Sequence, residues 1–144
     1  MKFFYENKDF SIWTQYGDSL AFGAHLHNHI ELGYMLEGRT RLLADSKEYT
    51  VCSGDAFIIF PNQIHQYCKI DHERYFLSIF PPDLCPEFQN IFQNKLPVSP
   101  VVKNAFDSNK ILSIADSIIE ANGQKAPFYR TCVKGYLLIL LSEL

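Results

Sequence analysis

A chain of 144 residues, 47% apolar and 20% charged, has the size and composition of one globular domain with its own core. Its net charge of −3, with no basic run, argues against gripping a phosphate backbone, and no apolar run reaches membrane-spanning length; Tyr136 to Leu141 is far too short. The four cysteines (Cys52, Cys68, Cys85, Cys132) form no C-x-x-C pair and follow no signal peptide, which reads as reduced thiols in a cytoplasmic protein.

The aromatic share, 15%, favours strands and a ring-lined interior. Residues 3–16 alternate loosely through Phe3, Tyr5, Phe10, Ile12, Thr14 and Tyr16, predicting one or two short strands with Trp13 on the other face. Tyr16-Gly17-Asp18-Ser19 is a turn. Leu20 to Leu36 reads as strand and carries His25, His27, His29 and Glu31 at every second position. Residues two apart on a strand share a face, so the row would point one way. Inward-facing imidazoles and a carboxylate are costly in a plain apolar core; they suit a polar cavity or a metal site.

Glu37-Gly38 predicts a turn, and Arg39–Ala44 with Glu48–Val51 a hairpin about Asp45-Ser46-Lys47. Ser53-Gly54-Asp55 turns into a buried strand, Ala56–Phe60, punctuated by Pro61-Asn62. Residues 65–70 alternate again, and Arg74–Phe80 is a last strand ended by Pro81-Pro82. Many short strands at this spacing predict a sandwich or barrel.

The character then changes. Residues 81–106 carry Pro81, Pro82, Pro86, Pro97 and Pro100, with a short helix expected around Glu87–Gln93. From Asp107 the period is helical: Asp107 or Ser108 caps, Ile111, Leu112, Ala115, Ile118 and Ile119 form a stripe, and Asn122-Gly123 stops it. Pro127 suits the first position of a second helix, whose wide apolar face includes Tyr129, Val133, Tyr136, Leu137, Leu140, Leu141 and Leu144. That helix meets no stop signal, which reads as a piece of a longer protein. The expected organisation is a barrel at 1–82, a proline-rich connection at 83–106 and a two-helix segment at 107–144.

Two motifs give the pattern a family. His25-x-His27-x3-Glu31-x6-Gly38, followed by Gly54-Asp55 through Pro61 to His65, resembles the paired motifs of cupins, small jelly-roll barrels. The usual glycine after the second-motif proline is missing, replaced by Asn62-Gln63, and Lys69 stands where an asparagine is common. With Leu-Glu-Gly at 36–38 and Pro-Asn-Gln-Ile-His at 61–65, the chain resembles the N-terminal effector domain of AraC-type bacterial transcription regulators. The resemblance implies a mainly β chain: a cupin jelly-roll barrel followed by two C-terminal α-helices. It implies a homodimer through those helices and a DNA-binding domain of helix-turn-helix units outside this sequence. It also implies that His25, His27, Glu31 and His65 are the cupin ligand set, suited to one Zn²⁺, Ni²⁺, Fe²⁺ or Mn²⁺.

Around that floor, alternation adds Gly33 and Met35 beside the histidines, and Tyr67 and Lys69 beside His65. Arg39 or Arg41 on the adjacent strand would reach an anionic or polyhydroxylated ligand, and Trp13 and Tyr5 would close the pocket from the N-terminal arm. The expected ligand-binding set is His25, His27, Glu31, Arg41, His65, Tyr67 and Trp13; no catalytic residue is assigned. His29 matches no ligand position and is expected to donate to Glu31 or lie on the surface; His72 is expected in a loop. The leading expectation is a sensing and dimerisation domain for a small molecule, a sugar or small acid. The alternatives are a stand-alone metal-dependent cupin enzyme (sugar isomerase or dioxygenase) and a regulator whose effector is itself a metal or anion.

Overall fold

The computed structural model describes residues 2–9, 11–95 and 98–144. Phe10 of the alternating arm and Pro97 of the connection lie outside them. The strands are β1 (Phe4–Tyr5), β2 (Trp13–Gly17), β3 (Phe22–Leu26), β4 (Ile30–Ala44), β5 (Lys47–Cys52), β6 (Ala56–Ile59), β7 (His65–Phe80) and β8 (Val101–Val102). The helices are α1 (Gln89–Asn94), α2 (Ser108–Gln124) and α3 (Tyr129–Ser142).

Two long antiparallel strands, β4 and β7, form the spine of a jelly-roll barrel. The first half of β7 lies between β3 and the end of β4, with His65 opposite both His25 and Ala44. Its second half lies between β2 and the start of β4, so Ile79 faces both Trp13 and Glu31. β5 extends the first half-sheet; β6 and then β8 extend the second. Residues 101–102, inside the expected connection, thus join the sheet.

The expected break at Glu37-Gly38 is absent. β4 is one strand of 15 residues with register shifts between Met35 and Glu37 and between Gly38 and Thr40. Gly38 has φ 75°, and a Cβ there would lie 1.6 Å from the His72 carbonyl oxygen, so the bulge needs glycine. The bulge changes which residues face inward. Before it, Glu31, Gly33 and Met35 share the inner face; after it, Thr40, Leu42 and Ala44 are buried. Arg39 and Arg41 consequently face outward. β7 is likewise one strand of 16 residues rather than two. His72 is therefore in a strand, not a loop; it is exposed and bonded to Glu37 at 2.9 Å.

Strands that bury both faces explain the unbroken buried stretch Ile30–Met35. Inside the barrel, Met35, Leu42, Val51, Phe57, Ile59, Tyr67, Tyr75 and Leu77 form one cluster. On the outer face, Ile30, Leu32, Tyr34, Ile58, Phe76 and Phe80 pack with Ile111, Ala115 and Ile118 of α2 and Val133, Leu137 and Leu140 of α3. The helices thus cover one half-sheet.

Asp107 caps α2 as expected, accepting from the Asn109 and Lys110 amides at 3.1 and 3.0 Å. The stop does not fall at Gly123. The helix continues to Gln124, and Lys125 takes the left-handed turn at φ 50°. α3 begins at Tyr129, after Phe128 at φ 67°, two residues beyond Pro127. In α2 it is Ile114, with Ile111, Ala115 and Ile118, that is buried, while Leu112 is 37% exposed.

Gly33 is needed for space. A Cβ there would lie 2.0 Å from Cζ of Phe57, whose ring lies across it inside the barrel. Gly33→Ala is expected to lose about 1–3 kcal/mol of stability in urea denaturation, the usual cost of overpacking a core.

Candidate functional site

The histidine row is not one strand. β3 ends at Leu26, the chain bends at Asn28-His29, and β4 begins at Ile30. His25 reaches the site by facing His65 across the β3–β7 pair, and Glu31 reaches it from β4. His27 is held in the bend, where its carbonyl accepts from the Asn62 amide at 2.7 Å. Asn62 sits at φ 63°, a conformation asparagine tolerates, and so replaces the turn glycine that the cupin pattern leads one to expect. Gln63 locks the same turn, accepting from the Phe60 amide at 3.1 Å and donating to Asp45 at 3.0 Å.

His25, His27, Glu31 and His65 are all buried, and each offers one ligand atom such that these atoms lie within 4.8 Å of one another. Glu31 is the hub. Its Oε1 accepts from His27 Nε2 at 3.0 Å and from His65 Nε2 at 3.3 Å, and its Oε2 accepts from the Tyr67 hydroxyl at 2.6 Å. His25 donates from Nδ1 to the Gly23 carbonyl and His65 from Nδ1 to the Gln63 carbonyl, both at 2.8 Å. Those carbonyls fix two of the three rings and leave each Nε2 facing the cluster. Nδ1 of His27 is buried, with no hydrogen-bond partner among the described residues.

The electrostatics follow. Burial pushes the Glu31 carboxyl up, but the hydrogen bonds and charge of His27 and His65 outweigh it and hold the group well below the usual carboxylate range. Burial pushes His65 down, and its bond to Glu31 more than reverses this, leaving it raised. Both His65 nitrogens face acceptors, which suits an imidazolium paired with a carboxylate. Burial, with His65 adding to it, lowers His25. Burial and the Glu31 charge raise Tyr67 well above the usual phenol range.

Above this floor is an open cavity of about 300 Å³. His25, Glu31 and Tyr67 line it, and Trp13, 58% exposed, lines its outer wall. Of the expected ligand-binding residues the structure therefore brings together His25, His27, Glu31, His65 and Tyr67, with Trp13 across the cavity. Arg41 is not with them. The β4 bulge turns it outward, where it pairs with Glu48 at 3.0 Å, and Arg39 pairs with Asp71 at 3.0 Å. Lys69 and Tyr5 are exposed and not part of the lining. His29 is neither on the surface nor bonded to Glu31. It is 3% exposed, donates from Nδ1 to Asn28 at 2.8 Å, and lines a second cavity of about 210 Å³ beneath the arm.

Five further polar residues line this cavity: Glu6, Lys8, Gln15, Ser19 and Tyr75. Two of them had a readable signal. Gln15 shares a face with Trp13, and Tyr75 has the parity of Tyr67 once β7 is one strand. Glu6 and Lys8 had none, because the β1–β3 pairing that places the arm is parallel and only two residues long.

The donor set suits a divalent transition ion. Three imidazoles and a carboxylate converge, two rings are held by carbonyls, and Glu31 Oε1 is contacted by two of the rings. His25, His27, Glu31 and His65 are the residues that would hold such an ion. Among the described residues no helix is long and apolar enough to cross a membrane, and the four cysteines are free.

Solved structures that resemble this one do so at low sequence identity. A putative ethanolamine utilization protein Q from Salmonella typhimurium is 18% identical over 49% of this chain and 56% of its own, with TM-score 0.41, so the chain spans about half that protein's length. An RmlC-like cupin from Shewanella frigidimarina is 17% identical over 51% of this chain and 69% of its own, with TM-score 0.44. The cupin domain of Schizosaccharomyces pombe Cnp3 is 11% identical over 65% and 69%, with TM-score 0.48. No curated protein matches the chain. The family model described as AraC-like ligand binding domain matches residues 7–137, from the arm through the barrel and into α3. The chain therefore belongs to the AraC-like ligand-binding domain family, cupin barrels that sense small-molecule effectors.

Proposed function

We propose that the chain is the sensing and dimerisation domain of an AraC-type transcription regulator, and that its effector is a small polar molecule, a sugar or small acid, bound in the barrel. The observation that carries this is the cavity above Glu31. It is of ligand size, its floor is His25, Glu31 and Tyr67, and its wall is an exposed Trp13. A few polar groups beneath an aromatic wall suit a hydroxylated or carboxylated ligand.

A route from the cavity to the helices supports a regulatory reading. β2 lines the cavity through Trp13 and Gln15. The same segment is bonded to α2 twice: the Tyr16 hydroxyl donates to Asp116 at 2.5 Å, and Asn122 donates to the Ile12 carbonyl at 3.1 Å. A ligand that binds two positions of β2 unequally would shift α2 with them. Apolar residues left exposed on or beside the helices, Leu112, Phe128 and Ile139, offer a surface for a second copy. Through α2 and α3 the ligand would then reposition DNA-binding domains outside this sequence, in the cytoplasm. A metal-dependent cupin enzyme is the second reading, favoured by the donor set alone.

Three measurements check these readings. Thermal shift against sugars and small acids is expected to find a stabilising ligand, about 3 kcal/mol at a hundred times its dissociation constant, and Trp13→Ala is expected to weaken it. Stabilisation unchanged in Trp13→Ala would place the ligand elsewhere. Metal analysis after incubation with Zn²⁺ is expected to give about one ion per chain, lost in His27→Ala; stoichiometry near zero would remove the metal. Light scattering at micromolar concentration is expected to give a dimer, and a monomer would contradict dimerisation.

A further inference from the structure

The N-terminal arm reaches the histidine cluster from outside the barrel. β1 lies parallel to β3 with Phe4 opposite His25, and the Glu6 amide extends that pairing by donating to the Leu26 carbonyl at 2.9 Å. The Phe4 ring stacks on the His25 imidazole at 5.6 Å, and Phe22 meets the same ring edge-on at 4.6 Å. With the backbone held this way, the Glu6 side chain turns into the cavity. One of its oxygens pairs with Lys8; the other, Oε2, lies 3.7 Å from His25 Nε2. His25 Nδ1 is committed to the Gly23 carbonyl, so Nε2 is the ring nitrogen that faces Glu6. At this distance the nitrogen and the carboxylate oxygen make no hydrogen bond. A cation between them would satisfy both.

We propose that Glu6 supplies a second carboxylate to a divalent ion held by His25, His27, Glu31 and His65, so that the ion fastens the arm across the cavity. The inference rests on reading those four residues as a metal site. Glu6 has two competing partners. Paired with Lys8, it leaves the arm held by a two-residue strand and the Phe4 stack. Turned to the ion, it adds a charge-assisted contact to that short pairing and releases Lys8. Among the described residues Lys8 is the one lysine or arginine lining the cavity, so its release would offer an effector carboxylate a counter-charge. Coupling of this kind is reciprocal: what the ion adds to arm docking, the arm adds to ion affinity.

The test uses the full chain with Zn²⁺ as the probe. Calorimetry compares the unmodified protein with Glu6→Ala, Glu6→Gln and Lys8→Ala, and hydrogen exchange follows the amides of residues 4–8 with and without Zn²⁺. Glu6 is partly exposed, so its substitution leaves the core intact. Both Glu6 variants are expected to weaken Zn²⁺ by about tenfold or more, the range seen when a metal site loses a supporting group. Lys8→Ala is expected to leave the affinity unchanged or tighter. Zn²⁺ is expected to slow exchange in the arm of the unmodified protein and not in Glu6→Ala. Equal affinities with unchanged arm exchange would overturn the proposal, as would a Lys8→Ala loss as large as that of Glu6→Ala. Failure of the unmodified protein to bind Zn²⁺ would instead remove the four-residue metal site, and this inference with it.

Discussion

Burying a carboxylate inside a barrel costs several kcal/mol unless its charge is met, and Glu31 is 3% exposed. Its oxygens are met by His27, His65 and Tyr67, contributed by the β3–β4 bend and by β7. Each of those elements is held in turn. Asn62 and Gln63 fix the turn that pins His27, the Gln63 carbonyl orients His65, and the register of β4 against β7 sets Glu31 opposite Ile79. Removing the carboxylate's partners would leave a buried charge; removing the carboxylate would leave His27, His65 and Tyr67 without their shared acceptor. The polar floor is therefore a constraint that fixes the geometry at this end of the barrel.

The two long strands serve both faces. Inward, they carry Glu31, Tyr67 and Tyr75 to the cavity; outward, Ile30, Leu32, Phe76 and Phe80 hold α2 and α3. Cavity and helices thus share a wall one sheet thick, and Ile12 and Tyr16, flanking the cavity-lining Trp13 and Gln15, are hydrogen-bonded to α2. Close-packed walls of this kind move as units rather than deform continuously. That property is what a sensing domain requires.

Much of the fold was legible in the sequence, because alternation and turn residues report directly on strands facing a core. The two helices and the Asp107 cap were readable for the same reason. His65 was legible through the fixed separation of the two motifs, not through alternation. Parity failed where the backbone does something that residue types alone do not show. The bulge at Gly38 turned Arg39 and Arg41 outward although counting residues along β4 places them inside. The bend at Asn28-His29 separated His25 from Glu31, and the cluster forms by pairing across strands instead of along one. Glu6 and Lys8 were invisible, since short parallel pairing leaves no periodic trace.

Glu31 and its three histidines, on the proposal above, would close on a cation beneath the cavity. Anomalous diffraction at the zinc edge, from crystals grown with Zn²⁺, tests it most directly. The expected result is an anomalous peak among His25, His27, Glu31 and His65, with the Glu31 bonds to His27 and His65 replaced by bonds to the ion. A structure in which Glu31 keeps those hydrogen bonds, with no peak among the four side chains, would contradict it.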